Sequence, residues 1–111
     1  MSDEQAMNEV KRGNLDRAAL LFERYQVRLY NFFLRLTYDR ELSNDLVQTV
    51  FLRLIRYRES YRENGAFKSW IYQLARNVFH DQLAQQKLKR GSSLDLEQIA
   101  HEAAALSTEQ E

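Results

Sequence analysis

The stretch FKSWIYQLARNVFHDQL, residues 67–83, combines a Trp, a Tyr, a central Asn and an adjacent Arg. Its apolar residues recur every three or four positions, which predicts an amphipathic helix with one face in a core. The remaining face offers cations for phosphates, an amide for base edges and rings for stacking on unpaired bases. Taken singly, Trp70 is more typical of a core and Asn77 of a solvated surface. Their combination predicts a helix that reads nucleic acid bases.

The composition limits the class of protein. A chain of 111 residues with 44% hydrophobic residues fits one small globular domain. It contains no Cys, and its two His residues, His80 and His101, lack partners at ligand spacing, so we expect no metal site. There is also no Gly-rich phosphate loop and no nucleophile elbow, so we expect neither a cofactor nor enzymatic activity. The polar start, MSDEQAMNEVKR, and the lack of long apolar runs predict no secretory signal and no membrane insertion.

The fold is predicted to be all-α. Pro is absent, and Gly13, Gly65 and Gly91 are widely spaced. We expect a compact bundle of three main helices, preceded by a short helix through Met7 and Val10 that ends near Gly13 and followed by a C-terminal linker.

Apolar stripes locate the three main helices. Asn14 is expected to cap the first and Asp39 the second, while the third should run from about Phe67 to about Lys89. The expected core positions are Leu15, Ala18, Phe22, Tyr25, Leu29, Phe32 and Leu36, then Leu42, Leu46, Val47, Val50, Phe51, Leu54 and Ile55, and finally Ile71, Leu74, Ala75, Val78 and Leu83.

Charge is unevenly distributed, although the formal net charge is zero. Residues 67–90 carry five cations against Asp81 alone, whereas residues 91–111 carry five acids and no Lys or Arg. We therefore predict a helical domain over residues 1–90 and an acidic linker or tail over residues 91–111. From charge alone, a nucleic-acid surface and an ordinary solvated face remain equally open for the basic block.

Two stretches together resemble the conserved domain of bacterial extracytoplasmic-function (ECF) sigma factors, which belong to the sigma-70 superfamily. They are DLVQTVFLRLIRY, residues 45–57, and the stretch over 67–83, joined by a short polar loop with an Asn64-Gly65 turn signal. The family's first helices are similar to the stretch that begins before those two, VKRGNLDRAALLFERYQVRLYNFFLRLTYDRELSNDLVQ. The resemblance therefore covers about residues 7–90. It implies a helical domain that binds core RNA polymerase and recognises the minus-ten promoter element.

The resemblance implies that the second main helix docks on the clamp helices of the largest polymerase subunit. The expected polar contacts are Asp45, Gln48 and Thr49, although Thr49 stands where an acidic residue is common in the family. Phe51 and Ile55 are expected near the apolar seam, since such an interface surrounds an apolar centre with polar pairs. For Phe51, a place in the domain core remains equally open.

The loop over residues 60–66, here called the 60–66 loop, resembles the family's specificity loop. That loop receives a base flipped out of the non-template strand of promoter DNA. The following helix resembles the one that tracks the same DNA, and Asn77 falls where the family has an Asn that approaches the bases. Phe79-His80 is bulkier than the small pair usual there. The resemblance implies that Tyr61, Arg62, Glu63, Asn64 and Gly65 shape the pocket for that base. The expected DNA-binding residues are Tyr61, Arg62, Asn64 and Gly65 in the loop and Lys68, Trp70, Tyr72, Arg76, Asn77 and His80 in the helix.

Family members normally continue into a second helix-turn-helix domain that reads the minus-thirty-five element. We therefore expect the chain to be an isolated domain of a longer, cytoplasmic protein rather than an unusually short member. Its acidic tail is similar to the family's interdomain linker, with a solvated tail as the alternative. One rival interpretation is a protein-interaction module that binds an anti-sigma factor or an adaptor without reading DNA. A general RNA-binding helical domain is another.

Overall fold

The computed structural model describes residues 1–90, which form four α-helices and no strand. The helices are α1 (Asp3–Lys11), α2 (Arg17–Thr37), α3 (Arg40–Arg56) and α4 (Phe67–Arg90), and a 3₁₀ turn (Arg58–Ser60) follows α3. The long helix α2 packs on α1 and α3, and α3 packs on α4. The predicted all-α bundle of three main helices and a short N-terminal helix is confirmed. The predicted linker or tail over residues 91–111 lies outside the described residues.

Local sequence signals set the helix ends. At the start of α1, the Ser2 hydroxyl accepts the N–H of Gln5 and the Gln5 side chain accepts the N–H of Ser2, which forms a capping box. The chain leaves α1 through Gly13, whose φ of 107° is strained for any residue with a Cβ. The carboxylate of Asp39 accepts the N–H of Leu42 at 3.0 Å, so its predicted role as the cap of α3 is confirmed.

The prediction that Asn14 caps α2 is wrong. Its side-chain amide donates to Glu9 Oε1 at 3.2 Å, and the chain makes a further turn before α2 begins at Arg17. Asp16 precedes the helix and makes no side-chain capping bond. Leu15 lies in this turn and is 43% exposed, so its predicted place in the core is also wrong.

The core lies between the apolar faces that the sequence predicts, with a few additions. Phe51 is buried, and its ring meets that of Phe22 edge-on at 4.9 Å, which settles its place in the core. Predicted core residues that are buried are Ala18, Tyr25, Leu29, Phe32, Leu46, Val47, Val50, Phe51, Leu54, Ile71, Leu74, Ala75 and Val78, and those partly buried against them are Phe22, Leu36, Leu42, Ile55 and Leu83. Buried residues outside the predicted set include Leu21, Phe33, Tyr61, Phe67 and Phe79. Within residues 1–90, none of the helices combines the length and apolarity that a bilayer crossing requires.

A polar cluster fastens α1 to α2. Arg24 donates to Asp3 Oδ1 at 2.8 Å and to the carbonyl of Met1, while the hydroxyl of the buried Tyr25 donates to Asp3 Oδ2 at 2.6 Å. Burial alone would raise the pKa of Asp3, but the hydrogen bond from Tyr25 and the charge of Arg24 outweigh it and lower that pKa. Burial and the bond to Asp3 raise the pKa of Tyr25 to about 12.

The turn between α2 and α3 contains a left-handed residue. Tyr38 has φ 54° and ψ 31°, and its N–H donates to the carbonyl of Leu34. Its side chain is 89% exposed and contributes little packing. Beside it, the buried Ser43 hydroxyl donates to the carbonyl of Asp39 at 2.6 Å, which holds the start of α3 against the turn.

We expect Tyr38→Gly to raise the free energy of unfolding by about 1 kcal/mol, because Gly adopts the left-handed region without the clash of a Cβ. Urea denaturation of the two proteins measures the difference. Tyr38→Ala is the matched control, since it removes the exposed ring but keeps the Cβ, and it should leave stability nearly unchanged. Equal gains for Gly and Ala would mean that the ring, not the backbone, is the source of strain.

Tyr25→Phe should cost about 2 kcal/mol at neutral pH, since the phenol donates to a charged carboxylate. The pKa of Tyr25 rises from 10.0 to about 12 on folding, so between neutral pH and pH 10 this stabilisation is complete, and it is lost as the pH rises towards 12. The difference in unfolding free energy between the wild type and Tyr25→Phe should therefore shrink over that range. Urea titrations at several pH values measure it, and a constant difference would contradict the assigned bond.

Candidate nucleic-acid interface

An open cleft of about 470 Å³ lies between the end of α3 and the middle of α4. Its volume falls within the range of roughly 300–1,000 Å³ that is typical of small-molecule sites. Its wall includes Asn77 and His80, which the sequence predicts to bind DNA, together with Tyr57 and Ser60 at the entrance to the 60–66 loop. The full lining is Arg53, Tyr57, Ser60, Leu74, Asn77, His80 and Asp81. The cleft therefore offers hydroxyl, amide and imidazole groups around a short apolar surface.

An ion pair joins the two helices that form the cleft. Arg53 Nη2 of α3 lies 2.7 Å from Asp81 Oδ2 of α4. The side chain of Arg53 is 25% exposed and that of Asp81 is 58% exposed, so solvent weakens the pair. The main effect of the ion pair is geometric, because it fixes the positions of the Arg53 guanidinium and the Asp81 carboxylate in the wall of the cleft.

Hydrogen bonds order the polar face of α4. Gln73 Nε2 donates to Asn77 Oδ1 at 3.3 Å, and Arg76 Nη2 donates to Gln73 Oε1 at 3.3 Å. With its oxygen engaged by Gln73, Asn77 presents its exposed amide nitrogen as a donor. Gln73 is therefore a member of this face that the sequence interpretation missed.

The predicted DNA-binding residues of α4 divide between two sides of the helix. Trp70 and Asn77 are seven residues apart and project from nearly the same side. Trp70 is half-buried, with its ring 5.3 Å from that of Tyr61. Tyr72 instead packs edge-on against Phe32 of α2 at 5.6 Å, and the exposed Lys68 projects opposite Asn77. Asn77 and His80 thus line the cleft together, whereas Trp70 does not line it. Lys68 and Tyr72 lie on the other side of the helix.

The 60–66 loop is anchored from the inside by Tyr61. The Tyr61 side chain is 1% exposed, and its hydroxyl donates to the carbonyl of Gly65 at 2.7 Å. A turn bond from the N–H of Gly65 to the carbonyl of Arg62 closes the loop. Arg62, Glu63 and Asn64 are exposed. Tyr61 therefore supports the loop from the core, and the three exposed residues are the ones that a ligand in solvent can reach.

The predicted polar contacts to polymerase lie on one outer face of α3. Asp45 and Gln48 are exposed, and the half-buried Thr49 donates its hydroxyl to the carbonyl of Asp45 at 3.0 Å. Phe51 is buried and Ile55 is half-buried. Leu52, which is 68% exposed, lies one helical turn from Gln48 on this face.

A groove of about 240 Å³ between α2 and α3 borders this face. Gln48 and Asn44 line it from α3, and Val27, which is 64% exposed, lines it from α2. Leu52 and Val27 are thus large apolar side chains that the bundle leaves uncovered beside polar groups.

The charge of residues 1–90 suits an anionic ligand. They hold all 16 Lys and Arg residues but only 11 of the 16 Asp and Glu residues, so their formal net charge is +5. Clusters of three or more metal-ligating side chains do not occur among these 90 residues.

The comparisons agree with this architecture. The family model for sigma-70 region 2 matches residues 21–89, so the chain belongs to the sigma-70 region 2 family. It is similar to the ECF RNA polymerase sigma factor SigM of Bacillus subtilis, with 34% identity over 76 residues, which cover 68% of this chain and 46% of SigM. It is also similar to the ECF RNA polymerase sigma-E factor of Escherichia coli K12, with 28% identity over 102 residues, which cover 92% of this chain and 52% of that protein.

A further relative is the RNA polymerase sigma-H factor of Pseudomonas aeruginosa, with 28% identity over 81 residues that cover 73% of this chain and 42% of that protein. The resemblance to ECF sigma factors stated from the sequence is confirmed. The chain spans about half the length of the curated relatives it matches.

Proposed function

We propose that this chain is the part of a non-enzymatic ECF sigma factor that binds core RNA polymerase and captures the melted minus-ten promoter element during transcription initiation. The observation that carries the proposal is the open cleft beside the 60–66 loop, with the donor of Asn77 on its wall, in a chain of the sigma-70 region 2 family. The site of action would be the cytoplasm, where promoter DNA and polymerase meet.

In the proposed mechanism, one base leaves the stack of the non-template strand and enters the cleft. Extrusion costs a few kcal/mol, which contacts to the exposed base edge must offset. Asn77 would supply a hydrogen bond to that edge, and Ser60 and His80 would bound the base on either side. Arg62, in the exposed part of the loop, and Arg76, on the polar face of α4, would neutralise neighbouring phosphates.

Polymerase would cover the outer face of α3. Leu52 supplies the apolar centre, and Asp45 and Gln48 supply polar contacts around it. The clamp helices of the largest polymerase subunit are the proposed docking partner. An anti-sigma factor that covers the same face would compete with polymerase for it.

The cleft assignment predicts that Asn77→Ala weakens binding of the preferred base. A panel of short single strands that differ at one central base provides the assay, with affinities measured by fluorescence anisotropy. We expect the best-bound strand to lose about tenfold in affinity and the preference among the four bases to flatten, because a side-chain contact to a base edge is removed. Asn31→Ala, at an exposed position of α2, is the matched control and should bind as the wild type does. An unchanged preference in Asn77→Ala would exclude base reading by this residue.

The docking assignment predicts that Leu52→Ala reduces retention of the chain by core RNA polymerase about tenfold, because an exposed apolar anchor is truncated. Leu88→Ala is the matched control, since Leu88 is an 83% exposed leucine near the end of α4. Both variants should unfold at the wild-type urea concentration. If the two variants are retained equally well, the outer face of α3 is not the polymerase contact.

A further inference from the structure

The short helix α1 touches both ends of the 60–66 loop. Lys11 Nζ donates to the carbonyl of Tyr61 at 2.6 Å, where the loop begins, and Glu4 Oε2 accepts the N–H of Phe67 at 2.8 Å, where the loop ends. Both bonds are partly buried. The residues of α1 precede the part of the chain, residues 21–89, that matches the family.

The bond from Glu4 supplies a cap that α4 lacks in its own sequence. The carbonyl of Ala66 accepts the N–H of Trp70, so Ala66 occupies the capping position of α4 but has no side-chain oxygen. The first N–H groups of a helix have no partner within it. Glu4 satisfies the one on Phe67, and its negative charge is favourable at the positive end of the helix dipole.

The bond from Lys11 fixes the other end of the loop. It holds the backbone of Tyr61, the residue whose side chain is 1% exposed and whose hydroxyl binds the carbonyl of Gly65. The entry and the exit of the loop are therefore held by bonds from α1, and its middle is held by its own bonds at Gly65. A further contact, Arg12 with Glu63 at 3.8 Å, joins two largely exposed side chains and contributes little.

The helix that makes these bonds is itself fixed to the core. Met7 and Val10 are fully buried, and Asp3 is bound by both Arg24 and Tyr25 of α2. The helix α1 therefore has contacts with α2 that do not depend on its bonds to the loop.

We propose that Glu4 and Lys11 are positioning residues that set the shape of the 60–66 loop and, through it, the base preference of the adjoining cleft. The inference rests on the proposed function of that cleft. Neither residue needs to touch DNA, because each acts through a backbone group of the loop or of the start of α4. The selectivity of the cleft would then depend on a helix that lies outside the matched region.

The test compares the wild type with the double variant Glu4→Met/Lys11→Met, which removes the polar ends and keeps side chains of similar length. Hydrogen exchange of the Phe67 amide, followed by NMR, reports the loop without any ligand and should become about tenfold faster, since a bond to a charged acceptor is lost. The same panel of short single strands should show a base preference reduced severalfold. The matched control is Glu9→Met, which removes an α1 carboxylate that contacts Arg17 and Asn14 rather than the loop.

The conservative variant Glu4→Gln keeps an acceptor oxygen and should retain most of the protection and most of the base preference. Unchanged exchange at Phe67 in the double variant would overturn the inference, whatever the DNA result. Faster exchange with a wild-type base preference would overturn the inference and leave the proposed function standing. A wild-type chain that shows no base preference at all would overturn the proposed function, and the positioning role would fall with it.

Discussion

The geometry of the candidate interface depends on the burial of two rings, that of Tyr61 near the start of the 60–66 loop and that of Phe67 directly after its end. Tyr61 is 1% exposed and Phe67 is fully buried, and their ring centroids lie 6.2 Å apart in the core. Because each ring fills space in the bundle, the backbone between them cannot move far without opening a cavity, which is costly in a close-packed core. The segment between them is short and polar, so the buried rings restrict where its exposed residues can lie.

The two sides of α4 have different roles. Its apolar side, with Ile71, Ala75 and Val78, holds the bundle together. Its polar side carries Gln73 and Asn77, whose hydrogen bond orders an exposed amide beside the cleft. Because the loop ends at the first residue of the same helix, the position of the loop and the position of the amide are set by one rigid element.

Helical periodicity predicted most of the fold, because the buried faces of α2, α3 and α4 repeat at the helical spacing. It failed where turn geometry decided the outcome, as at Asn14, whose amide binds Glu9 instead of capping α2. It left one choice open at Phe51, which the sequence allowed either in the core or near the polymerase seam. Phe51 packs on Phe22, while its neighbour Leu52, which lies off the predicted stripe, faces solvent.

The candidate site was predictable only in part, because tertiary packing brings residues from several helices into it. Asn77 and His80 lie on one helix, and their spacing reveals a shared face. Arg53 and Tyr57 come from α3 and enter the same cleft only through the packing of α3 on α4. Glu4 and Lys11 are separated from their partners by 63 and 50 positions, so no local pattern in the sequence connects them to the loop.

The central claim is that the cleft beside the 60–66 loop holds one base extruded from a single strand. A crystal structure of this chain with the strand that it binds best tests that claim most directly. We expect one unstacked base in the cleft, with its edge within hydrogen-bonding distance of the Asn77 amide and its ring bounded by Ser60 and His80. A strand bound along another face, with all its bases outside the cleft, would contradict it.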